Sequence, residues 1–262
     1  MKSLWEMFRL IDLSLPIEDG AAGEMQAPRI EYIDHAGSTA TVAGIFGARA
    51  EDLPSGQGWA VENLTLGSHT GTHVDAPYHY GAMSEGRPAR RIDEVPLEWC
   101  FGPGVVFDMR HKHAGELITV ADLEAALARI DYQIRPGDIA LIQTGADRRW
   151  GSRDYFRQPG MGRESTLWLV ERGVHVIGID AWTLDRPFSD MAADFKRSGD
   201  GCVLWPAHYA GLEREYCQVE KLANLESIPE PTGFYVSCLP VKIKGASAGW
   251  CRAVAFVPRG GC

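Results

Sequence analysis

The 262-residue sequence predicts an α/β fold built on a mixed sheet or a partial barrel. In the second half of the chain, helical periodicities alternate with short apolar segments typical of buried strands. Before residue 110, strand-like segments follow one another without a helical pattern between them. That difference between the two halves favours a mixed sheet over a purely parallel one.

The strands are assigned from apolar runs and alternation, in chain order. They are predicted at residues 7–16, 59–67, 104–109, 138–144, 174–180, 233–241 and 253–257. Between the first two lies a stretch, residues 17–58, that is rich in Gly, Ala and Pro. It shows little periodicity, so we expect a long, partly irregular excursion of the kind that often carries function.

Two helices are predicted after residue 110. Thr119 and Asp122 form an N-cap followed by an acidic first turn. Apolar residues then recur at helical spacing, at Val120, Leu123, Leu127 and Ile130. The second helix is predicted at residues 163–172.

Composition limits the class of protein. The chain is 45% hydrophobic and 23% charged, as in ordinary globular proteins, and this excludes a disordered or fibrous chain. We find no linker, so a single domain over residues 1–262 is expected. The net charge of −9 argues against nucleic-acid partners and anionic membrane surfaces, and no apolar run is long enough to span a bilayer.

Cysteine usage indicates the compartment. The six cysteines include no Cys-x-x-Cys pair, and the chain shows no secretion signal at its start. The cysteines are Cys100, Cys202, Cys217, Cys238, Cys251 and Cys262. Free thiols in a cytoplasmic protein are therefore expected.

Three of the eight histidines crowd into eleven residues, at His69, His73 and His79. On a single helical turn, His69 and His73 would share a face, and Pro77 would end that turn and bring Asp75 to the same side. Two imidazoles and a carboxylate suit Zn²⁺, Mn²⁺ or Fe²⁺. With positions left open for water, such a set is typical of a catalytic metal site.

The alternative is that these histidines have no ligand role, because a lone histidine is more often a surface or core residue than a ligand. Burying four such groups together is costly unless a cation or hydrogen bonds compensate them, which favours metal binding. His79 has three open roles: a fourth ligand, a residue that supports a ligand, or a general base.

The window from His69 to His79 resembles the signature His-x-Gly-Thr-His-x-Asp-x-Pro-x-His of the cyclase-like metal-dependent hydrolases. That family includes bacterial kynurenine formamidases and isatin hydrolases. Every fixed position of the signature is present. Residues 11–14 and 176–180 resemble further segments of the family, so the similarity covers most of the chain.

The resemblance implies more ligands far along the chain, a histidine and a glutamate twelve residues apart, here His208 and Glu220. Read from the residues alone, Glu220 would lie on a solvated helix. The resemblance implies one ion held by His69, His73 and Asp75. It also implies a second ion, or a group facing substrate, held by Asp75, His208 and Glu220. Some members carry an amide in place of the glutamate, so the carboxylate leaves a second ion possible.

The family further implies a swivelling β/β/α domain, with a mixed sheet or open barrel flanked by helices, in a homodimer or homotetramer. The implied activity is metal-dependent hydrolysis of a C–N bond in a small amide, formamide or cyclic amide, with Zn²⁺ or Mn²⁺ as the cofactor. A metal-activated water would attack the carbonyl, and His79 would pass a proton to the leaving nitrogen.

An aromatic pocket would suit a planar substrate, and five side chains are candidates to line it. They are Trp59, Tyr78, Phe46, Trp182 and Trp205. Two other functions stay open. A metal-dependent lyase, cyclase or lactone hydrolase could use the same site. A non-enzymatic metal binder would have no need of a spare base, and His79 argues against it.

Overall fold

The computed structural model describes residues 3–259, and strands occur along that whole range. The strands are β1 (Phe8–Asp12), β2 (Arg29–Ile33), β3 (Val61–Thr65), β4 (His73–Asp75), β5 (Met83–Ser84), β6 (Arg87–Pro88), β7 (Phe101–Asp108), β8 (Leu117–Ile118), β9 (Ile139–Gln143), β10 (Gly160–Met161), β11 (Val176–Ile179), β12 (Cys217–Glu220), β13 (Phe234–Ser237), β14 (Ala248–Trp250) and β15 (Val254–Pro258). The helices are α1 (Leu4–Met7), α2 (His35–Phe46), α3 (Pro77–Tyr80), α4 (Val120–Arg129), α5 (Arg163–Val170), α6 (Phe188–Ser198) and α7 (Pro206–Ala210). Short 3₁₀ turns lie at Ala50–Asp52, Pro54–Gly56, Ile92–Glu94, Leu97–Cys100, Ala146–Arg149, Arg153–Phe156, Gly201–Val203 and Leu225–Ser227.

Nine of the strands form one curled, mixed sheet in the order β1-β15-β13-β7-β9-β11-β12-β4-β14. The four central strands β7, β9, β11 and β12 are parallel. Antiparallel strands extend the sheet on both sides, with β13, β15 and β1 on one and β4 and β14 on the other. The predicted α/β class with a mixed sheet is confirmed.

Strand β9 shows why the centre of this sheet is stable. All five of its residues are buried, as expected for a parallel strand covered on both faces. Successive side chains point to opposite faces, so Ala140 and Ile142 join one apolar core while Ile139 and Leu141 join the other. The first core lies against α4 and α5, which supply Leu123 among others.

Helix α4 forms where the capping residues predict it. The Thr119 hydroxyl accepts a hydrogen bond from the Asp122 backbone N–H at 3.2 Å. The Asp122 carboxylate in turn accepts one from the Thr119 N–H at 2.8 Å, which completes a capping box. Leu123 and Leu127 are buried on the core face of the helix.

The excursion at residues 17–58 is more ordered than its composition predicts. Strand β2 pairs with β3 in an antiparallel ribbon, and α2 lies between them in sequence. The expectation of a partly irregular excursion holds for residues 17–28 and 47–58, which contain only turns and short 3₁₀ segments, and it missed the strand and helix between them. The helix was missed because it has no apolar stripe: its buried residues are Ser38, Val42 and Ala43. It is instead defined by its ends, an Asp34 cap on the Gly37 N–H and a left-handed Gly47.

The structure also bears on the membrane-span and cysteine expectations drawn from composition. Within residues 3–259, none of the helices combines the length and apolar character needed to cross a bilayer. Five cysteines are free thiols, and Cys100, Cys217 and Cys238 are buried. The sixth, Cys262, lies outside the described residues.

Candidate metal centre

The histidine window folds as a turn followed by a strand. His73 and Asp75 occupy alternate positions on β4, so both side chains project to the same face of the sheet. His69 lies in the preceding turn, where Gly71 adopts a left-handed φ of 62°. The expected single helical turn is wrong, because β4 pairs with β12 and β14 on its two sides and is held extended.

The first group of side chains converges closely. The Nδ1 atom of His69 lies 2.7 Å from Oδ1 of Asp75, and Nε2 of His73 lies 3.2 Å from the same oxygen. The His73 and Asp75 side chains are fully buried, while His69 is partly exposed. These three residues form a group whose potential ligand atoms all lie within 4.8 Å of one another.

The residues His208 and Glu220 join this group from the far half of the chain. Glu220 lies on β12 directly opposite His73, in a buried strand, so its placement on a solvated helix is wrong. Its Oε2 atom lies 3.8 Å from Nε2 of His73. The Nε2 atom of His208, on α7, lies 3.6 Å from Glu220 Oε1 and 4.0 Å from Asp75 Oδ2.

The buried polar atoms test whether this group fits a cation. Apart from the short contact between Asp75 and His69, His73 Nε2 and both carboxylate oxygens of Asp75 have no hydrogen-bond partner among the described residues. Leaving such atoms buried and unsatisfied is costly. The other ring nitrogen of His73 is tied to the Gly71 carbonyl at 2.8 Å, and that of His69 lies 3.0 Å from the Ser247 hydroxyl. The untied atoms point at one another and fit a shared divalent cation.

The electrostatics of these donor groups agree with this. Burial alone would raise the pKa of the Asp75 carboxyl, but His79, His73 and His69 outweigh it and hold that pKa well below its usual range. Burial, together with the charge on Asp75, raises the pKa of Glu220. Two buried carboxylates this close repel each other, and a cation between them would relieve that repulsion.

His79 lies at the end of the short helix α3, beside the converging groups. Its ring centroid is 4.1 Å from that of His69 and 5.4 Å from that of His208. Burial, assisted by the neighbouring histidines, lowers the pKa of His79 to about 4. The ring is therefore neutral at pH 7 and can accept a proton. Its ligand atoms also lie within 4.8 Å of those of Asp75 and His208, so the geometry allows a ligand role as well.

A cavity of about 330 Å³ opens beside these residues. Trp182, Phe188 and Trp205 supply aromatic surface to its wall. Phe188 lies between the other two rings and contacts each of them edge to face. Its ring centroid is 4.9 Å from that of Trp182 and 5.9 Å from that of Trp205. The cavity therefore joins an apolar aromatic surface to a cluster of metal-ligand side chains.

The family model Cyclase, whose description is "Putative cyclase", matches residues 11–186. The chain belongs to the Cyclase family. The matched range contains the window from His69 to His79, so the resemblance predicted from those residues is confirmed. The range ends before His208 and Glu220.

Relatives of this Cyclase-family chain have named activities. It is 31% identical over 199 residues to the kynurenine formamidase of Salinibacter ruber, covering 73% of this chain and 77% of the relative. It is 26% identical over 207 residues to the isatin hydrolase of Roseibium aggregatum, covering 75% and 74%. A solved isatin hydrolase bound to the product analogue thioisatinate superposes with a TM-score of 0.75 over 98% of this chain and 95% of that chain. At 21% identity that last likeness shows the fold.

Of the five predicted pocket aromatics in the Cyclase-family chain, Trp182 and Trp205 line the cavity. Phe46 and Trp59 instead form an exposed edge-to-face pair, with centroids 6.4 Å apart. The Arg91 guanidinium lies over the Tyr78 ring, with its central carbon 4.4 Å from the ring centroid. These three side chains do not border the cavity of this single chain, and their role in substrate binding stays a prediction.

Sequence reasoning missed other residues around the site. Glu24, Lys221 and Phe188 border the cavity, and Asp185 hydrogen-bonds to His208. No local signal singles them out, because each comes from a segment without a motif. For Lys221 the adjacent Glu220 was the available pointer.

Glu24 and Lys221 form a buried ion pair at the cavity wall. The Lys221 ammonium also donates to the His69 carbonyl at 2.8 Å, and Glu24 accepts from the Gly71 N–H at 2.7 Å. The pair thereby ties the early excursion to the turn that carries His69.

We expect Lys221→Met to lower the free energy of unfolding by about 3–5 kcal/mol, because it leaves the Glu24 carboxylate buried without a positively charged partner. Urea unfolding of metal-free protein measures this. The double variant Glu24→Gln/Lys221→Met removes both charges and should recover most of the loss. A double variant as unstable as the single one would contradict this account of the pair.

Proposed function

We propose that this Cyclase-family chain is a metal-dependent hydrolase that cleaves the C–N bond of a small amide, formamide or cyclic amide. The observation that carries this is the convergence of buried, unsatisfied His73 and Asp75 atoms with His208 and Glu220 beside a cavity. The activities named for the relatives, a kynurenine formamidase and an isatin hydrolase, support the same reaction class.

The residues present divide into two overlapping ligand sets. His69, His73 and Asp75 would hold one ion, and Asp75, His208 and Glu220 would hold a second. We propose Zn²⁺ or Mn²⁺, which this mixture of imidazole and carboxylate donors suits. An ion bound here supplies Lewis acidity toward a carbonyl oxygen and lowers the pKa of a coordinated water.

The chain's own groups supply proton transfer and substrate orientation. His79 is neutral at pH 7 and lies beside His69 and His208, so it can take a proton from the attacking water and pass it to the leaving nitrogen. The aromatic surface of Trp182, Phe188 and Trp205 would hold a planar substrate next to the ligand groups and exclude water from that side.

We also propose that the protein is a cytoplasmic homodimer or homotetramer that takes a small-molecule substrate. The free thiols support the location. Exposed large side chains on the excursion and on the segment that follows it support self-association, since such apolar patches mark interaction sites. They include Tyr32, Phe46, Trp59 and Leu64.

Metal removal tests the function. Elemental analysis of the purified protein should find Zn or Mn, and chelation should abolish hydrolysis while circular dichroism stays unchanged. Activity should return on addition of Zn²⁺ or Mn²⁺. A panel of formamides, isatins, cyclic imides and lactones then identifies the bond. Normal turnover by folded, metal-free protein would overturn the mechanism, and turnover of lactones alone would overturn the C–N assignment.

A further inference from the structure

Asp185 is a fully buried carboxylate that the reaction described above does not use. It lies in the loop between β11 and α6, and all of its side-chain hydrogen bonds go to α7. It accepts from the Ala207 N–H at 2.8 Å and the His208 N–H at 3.2 Å. Its Oδ2 atom also lies 2.6 Å from Nδ1 of His208.

The last contact determines which nitrogen of His208 is available. An ionised carboxylate only accepts hydrogen bonds, so Nδ1 must carry the proton. The lone pair of a neutral ring then lies on Nε2, the atom that is 3.6 Å from Glu220 and 4.0 Å from Asp75. Trp205 stacks on the same ring with centroids 4.3 Å apart and planes within 11°, which fixes the ring plane.

The backbone around Asp185 is held as tightly as its side chain. Its carbonyl accepts from the Gln158 amide at 3.1 Å. Gly160 packs so closely that a Cβ there would lie 2.1 Å from the Asp185 carbonyl carbon. The preceding residue, Leu184, donates its N–H to Oε1 of Glu220 at 3.1 Å. Leu184 and Asp185 are consecutive residues, and between them they contact the two proposed ligands from the second half of the chain, Glu220 and His208.

In His69 and His73, the ring nitrogen that faces away from the ligand group has a neutral partner. His73 is tied to a backbone carbonyl and His69 lies against a serine hydroxyl. A carboxylate partner orients the ring more strongly and raises the basicity of the ligating nitrogen, and losing such a partner typically weakens metal binding about 10–100-fold.

We propose that Asp185 is the positioning residue of the metal centre. It holds His208 as the Nδ1–H tautomer, with Nε2 directed at Asp75 and Glu220. Leu184 fixes Glu220 from the same loop. This inference rests on the proposed function, since it concerns a ligand of the ion that hydrolysis requires.

Two measurements test it, and the first compares Asp185→Asn with a matched control, Asp180→Asn. Asp180 is a second buried carboxylate that accepts three hydrogen bonds, from the Thr144 N–H and hydroxyl and the Gly145 N–H, and none from the ligand group. Titration calorimetry of metal-free protein with Zn²⁺ or Mn²⁺ should show binding about 10–100-fold weaker in Asp185→Asn. Binding by Asp180→Asn should match the wild type.

The second measurement needs no metal and no variant. Nitrogen-15 spectra of the histidine rings in metal-free wild-type protein at alkaline pH should show His208 protonated on Nδ1. An Nε2–H tautomer would overturn the proposal, as would wild-type affinity in Asp185→Asn. If the wild type binds neither metal, the proposed function fails, while the ring spectrum still decides the role of Asp185.

Discussion

Replacing Asp75 with asparagine should abolish both metal binding and hydrolysis. Its two carboxylate oxygens face different ligands: Oδ1 lies near His69 and His73, and Oδ2 lies near His208. Glu220 also contacts a histidine of each half, but Asp75 is the residue that the two proposed ligand sets share. An amide removes the negative charge and offers one weak acceptor, so both halves lose a donor together.

The expected loss in kcat/KM is at least about 10³-fold, which corresponds to several kcal/mol of transition-state stabilisation supplied by a metal ion. Elemental analysis and steady-state kinetics measure the two effects. Asp180→Asn is the control, because it also replaces a buried carboxyl group at the end of a strand, but outside the ligand group. Metal content near the wild-type level in Asp75→Asn would refute the assignment of the centre.

Replacing His79 with alanine should leave the metal bound and lower kcat by about 10²–10⁴-fold, the usual contribution of a general acid or base. The ring is uncharged at neutral pH because its pKa lies near 4, so one of its two nitrogens has a free lone pair. That nitrogen can accept a proton from the attacking water. The exposed His35, on α2, provides the control: His35→Ala should leave both metal content and kcat unchanged.

The metal content separates the open roles of His79. Retained metal with a large loss in kcat identifies a proton-transfer group. Loss of metal identifies a ligand, which the closeness of His79 to Asp75 and His208 permits. Full activity with metal retained would show that His79 has neither role.

Local signals predicted the elements that carry them and missed those that do not. Helix α4 could be predicted from Thr119 and Asp122, which form the capping box, and from Leu123 and Leu127 on its buried face. Helix α2 carries no such stripe, because nearly every side chain on it meets solvent, and its composition resembles a loop. Periodicity reports burial, so a helix that buries little leaves little trace.

The candidate site shows the same division. The residue types in the window from His69 to His79 were enough to predict a ligand group. Their geometry was not, because β12 and β14 impose the extended form of β4 and both arrive from more than a hundred residues downstream. Glu220 was recovered through the family resemblance alone. The role of Asp185 could not be predicted from the sequence, because it depends on a contact with His208 that only the folded chain makes.

The pairing of β4 with β12 also determines when the centre can form. His73 lies opposite Glu220 in this strand pair. Ligands from opposite halves of the chain therefore become neighbours only when the two strands pair. Contacts between such distant segments carry a large loop-closure entropy and form late in folding. We therefore expect the nascent amino-terminal half to hold metal weakly and the refolding chain to capture it in its last steps. Metal uptake then reports that the whole sheet has closed.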